Sequence, residues 1–258
     1  TLDVTGRGAI HLFETLRTHT AVSEHVRLYQ ASSSEMFGNT PMSPQTEETP
    51  FHPVSPYGIA KTLAHLWAQS YRKSYGMYLA CGIAYNHESP RRSPEFVTRK
   101  ITKAVAAISA GLQDVLSLGN TSSRRDWSHA KDIARGAWVM LQQPVPNDYI
   151  LASGEQHSVQ EFFEAACSMV GLDPQRVGRV DPTLFRLQDI AGLVGSPRRA
   201  AQLLNWRTEV TFLQLVREMV EADVAALRTS HPSPSEGSGA LEPIPAVDPI
   251  PVLPQGTA

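Results

Sequence analysis

The stretch MYLACGIAYN, residues 77–86, is apolar almost without interruption. A strand of this kind has no face to offer to water, so it reads as one buried on both faces of a parallel sheet. Its neighbours fit that demand. GAIHLFETLRTH places Ile10, Leu12, Phe13 and Leu16 at a helical period, and HVRLYQAS (His25 to Ser32) reads as a strand. The Pro-, Thr- and Ser-rich TPMSPQTEETPFHPVSPYG reads as a loop. Ser55 and Pro56 then supply an N-cap and a first helical position for YGIAKTLAHLWAQSYRKSYG. Farther on, helices are expected at EFVTRKITKAVAAISAGL, AKDIARGAWVMLQQ, SVQEFFEAACSMVG, RRAAQLLNW and FLQLVREMVEADVAALR, with a strand at DYILAS. Strand, helix and strand in succession argue for an α/β fold.

Composition narrows the function classes. Of 258 residues, 41% are hydrophobic and 19% charged, with a formal net charge of -2. That balance gives no electrostatic case for nucleic acid or an anionic membrane. No apolar run has the length of a bilayer span and no leader pattern is present, so a cytoplasmic protein is expected. Cys81 and Cys167 both fall in buried-type runs and read as reduced thiols rather than a disulfide. The nine histidines show neither HExxH nor zinc spacing with cysteine, so no metal is expected. From about residue 230 the chain changes character: 7 of its 19 prolines lie there, with little helical period, and a disordered tail is expected. A proline-rich ligand for a partner domain is the alternative reading of that tail.

Two stretches carry the chemistry. YQASSSEMFG ends the first strand in Ser32, Ser33 and Ser34 followed by Glu35, and SPYGIAK places Tyr57 and Lys61 four apart on one helix face. Read alone, the serines are a polar turn and the Tyr–Lys pair a surface pair. Together they offer a phenol whose pKa a neighbouring ammonium would lower towards working pH, a base for a sugar hydroxyl. A strand ending in small hydroxyls, a loop and a helix opening YxxxK resembles the layout of extended short-chain dehydrogenases/reductases. Ser33, Tyr57 and Lys61 hold the positions of the hydroxyl, the acid/base and the ribose-binding lysine.

The resemblance extends from Thr1 to about Arg228. NHESPRR, FVTRKI, SLGN, RRDWSHAKD, ASGEQHSVQEF and LLNWRTEVTFLQLVREMVEAD follow in the order of the GDP-mannose 4,6-dehydratase family. That family implies NADP as cofactor, GDP-mannose as substrate, GDP-4-keto-6-deoxymannose as product and a homo-oligomer when intact. It implies catalytic Ser33, Glu35, Tyr57 and Lys61, with Glu35 as the base at C5, the residue that separates dehydration from epimerisation or simple reduction. It implies cofactor contacts from Tyr57, Lys61, His87 and Arg92, and substrate contacts from Asn86, Val97, Lys100, Arg125, Arg186 and Asp189. An arginine suits pyrophosphate because its planar fork donates two parallel hydrogen bonds.

The implied fold is the C-terminal part of a Rossmann-type parallel sheet, with a smaller α/β substrate-binding region and a disordered tail. Its expected division is residues 1–115 for an incomplete NADP-binding region with the catalytic residues, 116–229 mainly for nucleotide sugar and interleaved with the first, and 230–258 for the tail. Ser33 replaces the more usual Thr, Ser128 the usual Gly, Leu187 a Pro, Ser196 an Asp, and Asp189 a Glu. The largest departure is the glycine-rich turn that cradles the pyrophosphate. TGRGAI has Gly6 and Gly8 but His11 at the third position, and no strand precedes it. Roughly a hundred family residues, the first βαβαβ half, have no counterpart here. The chain opens without methionine, as a cut from something longer would. An open sheet edge and an inactive isolated chain are therefore expected. Two other readings stand beside the enzyme: a non-catalytic nucleotide-sugar-binding or association module, and a related epimerase or reductase, against which Glu35 and NHESPRR speak.

Overall fold

The computed structural model describes residues 1–19, 26–185 and 192–230. A π-helical turn, Leu2–Arg7, runs directly into α1 (Gly8–Thr18). The first strand, β1 (Arg27–Ser33), leads through a loop to α2 (Pro56–Tyr75) and β2 (Tyr78–Ala84). Next come β3 (Asn86–Glu88), α3 (Val97–Ser109), β4 (Leu116–Leu118), β5 (Arg124–Arg125), β6 (Trp127–His129) and α4 (Ala130–Leu141). The described chain closes with β7 (Asp148–Leu151), β8 (His157–Ser158), α5 (Val159–Ser168), α6 (Pro174–Val177), β9 (Gly178–Val180), α7 (Arg198–Leu204) and α8 (Phe212–Ser230).

The main sheet has the order β1-β2-β7, all parallel. Its register sets Ser33 beside Ala84 and Ala84 beside Leu151, so the three strands end in one row. β2 is buried on both faces, as its composition requires. Leu79 and Cys81 pack with Phe13, Ala68 and Tyr71 of α1 and α2, whereas Ala80 and Ala84 pack with Ile133 and Met140 of α4 and with Ala200 and Leu204 of α7. Gly82 lies against the Tyr29 ring, and a Cβ there would come within 2.5 Å of Cε2. A second core joins Ile101 and Val105 of α3, Phe162 and Phe163 of α5, Trp127, and Leu215, Val216 and Met219 of α8. Three two-stranded ribbons, β3-β6, β4-β9 and antiparallel β5-β8, accompany it.

The helix carrying Tyr57 follows its local signals closely. Ser55 accepts a hydrogen bond from the Gly58 amide (2.9 Å), Pro56 occupies the first turn, and Gly76 ends the helix with φ 65°. The expected open edge is present: among the described residues β1 pairs on one side only. TGRGAI forms no phosphate-binding turn, since Gly6 lies within the π-helical turn and Gly8 begins α1. No helix among the described residues is long and apolar enough to cross a membrane. Residues 231–258, where the tail is expected, lie outside the described residues.

Candidate active site

Ser33 closes β1 in extended conformation, and its Oγ accepts a hydrogen bond from the Glu35 amide at 3.3 Å. This turns the chain into a single 3-10 turn, Ser34–Met36, pinned by the fully buried Met36 and Phe37. The Glu35 carboxylate accepts a hydrogen bond from Ser55 Oγ at 2.9 Å. The start of α2 is pressed against that turn: a Cβ on Gly58 would lie 2.7 Å from the Glu35 carbonyl oxygen. Tyr57 is 39% exposed at the mouth of this corner. Lys61 sits one turn on, with Nζ 5.6 Å from the Tyr57 ring centroid and donating to the Ala31 carbonyl at 2.8 Å.

The electrostatics of Tyr57 correct one expectation. Burial raises its phenol above the ordinary value, the Ser33 hydroxyl and the Arg92 charge pull it back, and Glu35 pushes it up further. Lys61, whose own pKa burial lowers, does not bring the phenol down. Its ammonium lies beside the ring and is held by Ala31, so desolvation wins.

His87 and Arg92 belong to the same neighbourhood. His87 Nδ1 lies 2.8 Å from the Tyr85 carbonyl, and its imidazole pKa is lowered by burial and by the nearby Arg92 and Lys61, against that backbone bond. Arg92 pairs with Glu88 at 3.2 Å and lies 3.4 Å over the Phe96 ring. Glu88 is buried, which raises its pKa, while the Thr98 hydroxyl (2.7 Å) and Arg92 oppose the rise. The other family positions are placed on surrounding elements. Asn86 stands opposite Trp127 in the β3-β6 pairing, Val97 opens α3, and Lys100 Nζ donates to the Ser117 carbonyl at 2.8 Å. Arg125 stands opposite His157, with Nη1 donating to the Arg124 carbonyl at 2.7 Å. Arg186 and Asp189, like Leu187, lie outside the described residues. Ser128 fits without displacing its strand: its Oγ donates to the Asn86 carbonyl at 3.4 Å within an intact β3-β6 register.

Two features had only a local signal in the sequence. Ser55 reads as a cap, and its second bond, to Glu35, depends on tertiary approach. Asp126, inside RRDW, is fully buried and accepts from Ser153 N and Oγ, Gly154 N and Gly195 N at 2.6–3.2 Å. It thereby ties together two loops beside β5. Away from the corner, His65, Cys81 and Asp148 bring ligand-type atoms within 4.8 Å of one another. Asp148 is already bound by Arg72 at 2.9 and 3.1 Å and by Gln69 at 2.7 Å, and Ser32 Oγ lies 2.8 Å from His65 Nδ1.

A family model described as GDP-mannose 4,6 dehydratase matches residues 1–219. The chain belongs to that family. GDP-mannose 4,6 dehydratase 2 of Arabidopsis thaliana is 45% identical over 225 residues, 87% of this chain and 60% of that protein. The Homo sapiens GDP-mannose 4,6 dehydratase is 42% identical over 247 residues, 89% of this chain and 66% of its own. The chain thus spans about three fifths of the length of its Arabidopsis relative. Among solved structures, RMD from Pseudomonas aeruginosa complexed with NADPH superimposes with a TM-score of 0.80 at 21% identity, over 88% of this chain and 75% of that one. A Thermus thermophilus UDP-glucose 4-epimerase complex with NAD gives 0.75 at 24% identity, over 87% and 71%. These likenesses establish the Rossmann-type α/β fold of a GDP-mannose 4,6-dehydratase family member.

The cofactor can be tested against the residues present. Tyr57, Lys61, His87 and Arg92 gather at the carboxyl end of the sheet, where open α/β folds bind ligands, with the Nε of Arg92 engaged by Glu88 Oε2 at 3.2 Å. That set fits the nicotinamide-ribose end of a dinucleotide. For the pyrophosphate the described residues offer no glycine-rich turn between strand and helix.

Proposed function

We propose that this chain is the catalytic and sugar-binding portion of a GDP-mannose 4,6-dehydratase, converting GDP-mannose to GDP-4-keto-6-deoxymannose. The observation that carries the reading is the corner where the base-type carboxylate of Glu35 and the phenol of Tyr57 share one strand end, each within reach of a serine hydroxyl. Tyr57 takes the proton of the C4 hydroxyl, and Ser33 hydrogen-bonds the same oxygen. A bound nicotinamide supplies hydride acceptance from C4 and its return to C6, with no net redox change. The 4-keto group acidifies the C5 hydrogen, and Glu35 removes it as a proton and passes it to the C6 hydroxyl, which departs as water. The proton that Tyr57 took from the C4 hydroxyl returns to C5 as C6 is reduced. Arg92 favours the phenolate form of Tyr57, against the burial that opposes it. Lys61 and His87 hold the ribose side.

NADP rather than NAD is the proposed cofactor. The proposed setting is a cytoplasmic homo-oligomer serving GDP-fucose and related deoxyhexose formation. Residues 1–115 form the cofactor-side region and 116–229 most of the nucleotide-sugar region, with Asn86, Val97, Lys100, Arg125, Arg186 and Asp189 as substrate contacts and 230–258 as a tail. The two regions interleave: α3 of the first packs with α5 and α8 of the second, and α4 and α7 of the second cover β2 of the first. The helical conformation of Gly6 and Gly8 favours a second reading, a nucleotide-sugar-binding or association module that does not turn over by itself.

Incubation with GDP-mannose and NADP, followed by mass spectrometry for a product lighter by one water, separates the two. The dehydratase reading expects product once the glycine-rich half of a relative is fused ahead of residue 1. No product from that fusion, with the chain folded and GDP-mannose bound, overturns it in favour of the module.

A further inference from the structure

We infer that Ser55 is the positioning residue of the dehydration base, using one hydroxyl to fix both the Glu35 carboxylate and the start of the helix that carries Tyr57. The inference rests on the dehydratase reading for its consequence in turnover and on geometry for the rest. A serine hydroxyl has one proton to give and lone pairs to receive. Here the proton goes to Glu35 Oε2 and a lone pair receives the Gly58 amide, both at 2.9 Å. The dipeptide Ser55–Pro56 sets this up. Proline disfavours helical backbone in the residue before it, and Ser55 is extended at φ −120°, ψ 152°, the conformation an N-cap needs.

Glu35 is therefore tethered at both ends by serines. Ser33 Oγ holds its backbone amide and Ser55 its carboxylate. Without those bonds a glutamate side chain turns about three torsions. With them, the spacing between base and phenol is set by residues 55–57 of one helix start. The bond engages Oε2, leaving Oε1 to take the C5 proton. The absence of a side chain at Gly58 permits the approach, since a Cβ would press on the Glu35 carbonyl.

Three substitutions separate this role from simple helix capping. Ser55→Gly removes the donor but costs a helix start only a few tenths of a kcal/mol. Ser55→Asp keeps a capping acceptor but has no proton to give. Ser55→Thr keeps both bonds. On the chain as it stands, carbodiimide-driven amidation with glycine ethyl ester, read by peptide mass spectrometry against the exposed Glu95, reports how freely Glu35 reacts. Faster labelling of Glu35 is expected in Ser55→Gly and Ser55→Asp at unchanged melting temperature, with Ser55→Thr restoring the slow rate. In the fusion active on GDP-mannose, the same two variants should lose about tenfold or more in kcat, with KM nearly constant. Ser55→Thr should retain most of the turnover. Labelling in Ser55→Gly and Ser55→Asp equal to that of the parent chain overturns the inference. A fusion inactive in every form, with the labelling contrast intact, removes the dehydratase reading but leaves the positioning contact standing.

Discussion

At the scale of single residues, the corner at the end of β1 divides proton handling between two groups with different surroundings. Tyr57 carries a phenol that burial holds in its protonated form, and Glu35 is a carboxylate with a hydroxyl donor at one oxygen. In the active fusion, Glu35→Gln is expected to stop water loss by about a hundredfold or more, while substrate still generates reduced nicotinamide. Tyr57→Phe should remove that reduction too. Nicotinamide absorbance together with product mass reads both, and dehydration surviving Glu35→Gln would falsify the assignment of the C5 base. A second prediction concerns stability. Burial alone would raise the Asp148 carboxyl, but Arg72, His65 and Gln69 outweigh it and hold it below the ordinary value. Its ionised form therefore stabilises the fold above the unfolded Asp pKa of about 3.9. That contribution is lost as the pH falls through the lower folded value. Asp148→Asn leaves Arg72 unpaired and should cost about 3 kcal/mol near neutral pH. The difference in melting temperature from wild type should then narrow below about pH 4. Sequence spacing placed Tyr57 and Lys61 on one face because periodicity is local. It misjudged the phenol because spacing counts a neighbouring cation but not desolvation, and it missed the Ser55 bond to Glu35 because that requires two distant segments to meet.

At the scale of elements, α2 was legible at both ends because each end is chemically marked. Ser55 and Pro56 open it, and Gly76 closes it in a left-handed conformation with φ 65°. A Cβ on Gly76 would meet nothing within 4 Å, so Gly76→Ala should cost about 1 kcal/mol from backbone strain alone. Gly38 also has positive φ, 56°, but there a Cβ would sit on the His52 carbonyl. Gly38→Ala should therefore cost clearly more than Gly76→Ala and should disturb the turn that presents Glu35. Urea unfolding of the two variants ranks the costs, and equal costs would contradict the packing described. The all-apolar β2 was equally legible, as composition alone forces it to the centre of a sheet. The ribbons β3-β6, β4-β9 and β5-β8 were not, since two or three residues hold too little alternation to show a period.

At the scale of the whole molecule, the outer edge of β1 is the feature with the widest reach. Its strand pairs on one side only among the described residues, and Leu12, Leu66, Trp67 and Tyr75 are exposed on the neighbouring α1 and α2. Open edges and contiguous apolar surface promote association. The chain by itself is expected to elute as concentration-dependent oligomers in light-scattering chromatography, and fusion of a glycine-rich half should sharpen that distribution. A monodisperse monomer at all concentrations would count against the open edge. Asp126 acts on the same scale, but inwards. Its carboxylate collects donors from Ser153, Gly154 and Gly195, and Gln45 N and O bond to Val194 O and Ser196 N on the same segment. The distances along the chain between these anchors are consequently as constrained as their identities. Libraries of random insertions should recover tolerant positions around residues 112–114 and none at residues 153–154 or 193–196, so that loop length, rather than residue choice, is where this part of the molecule has least freedom to drift.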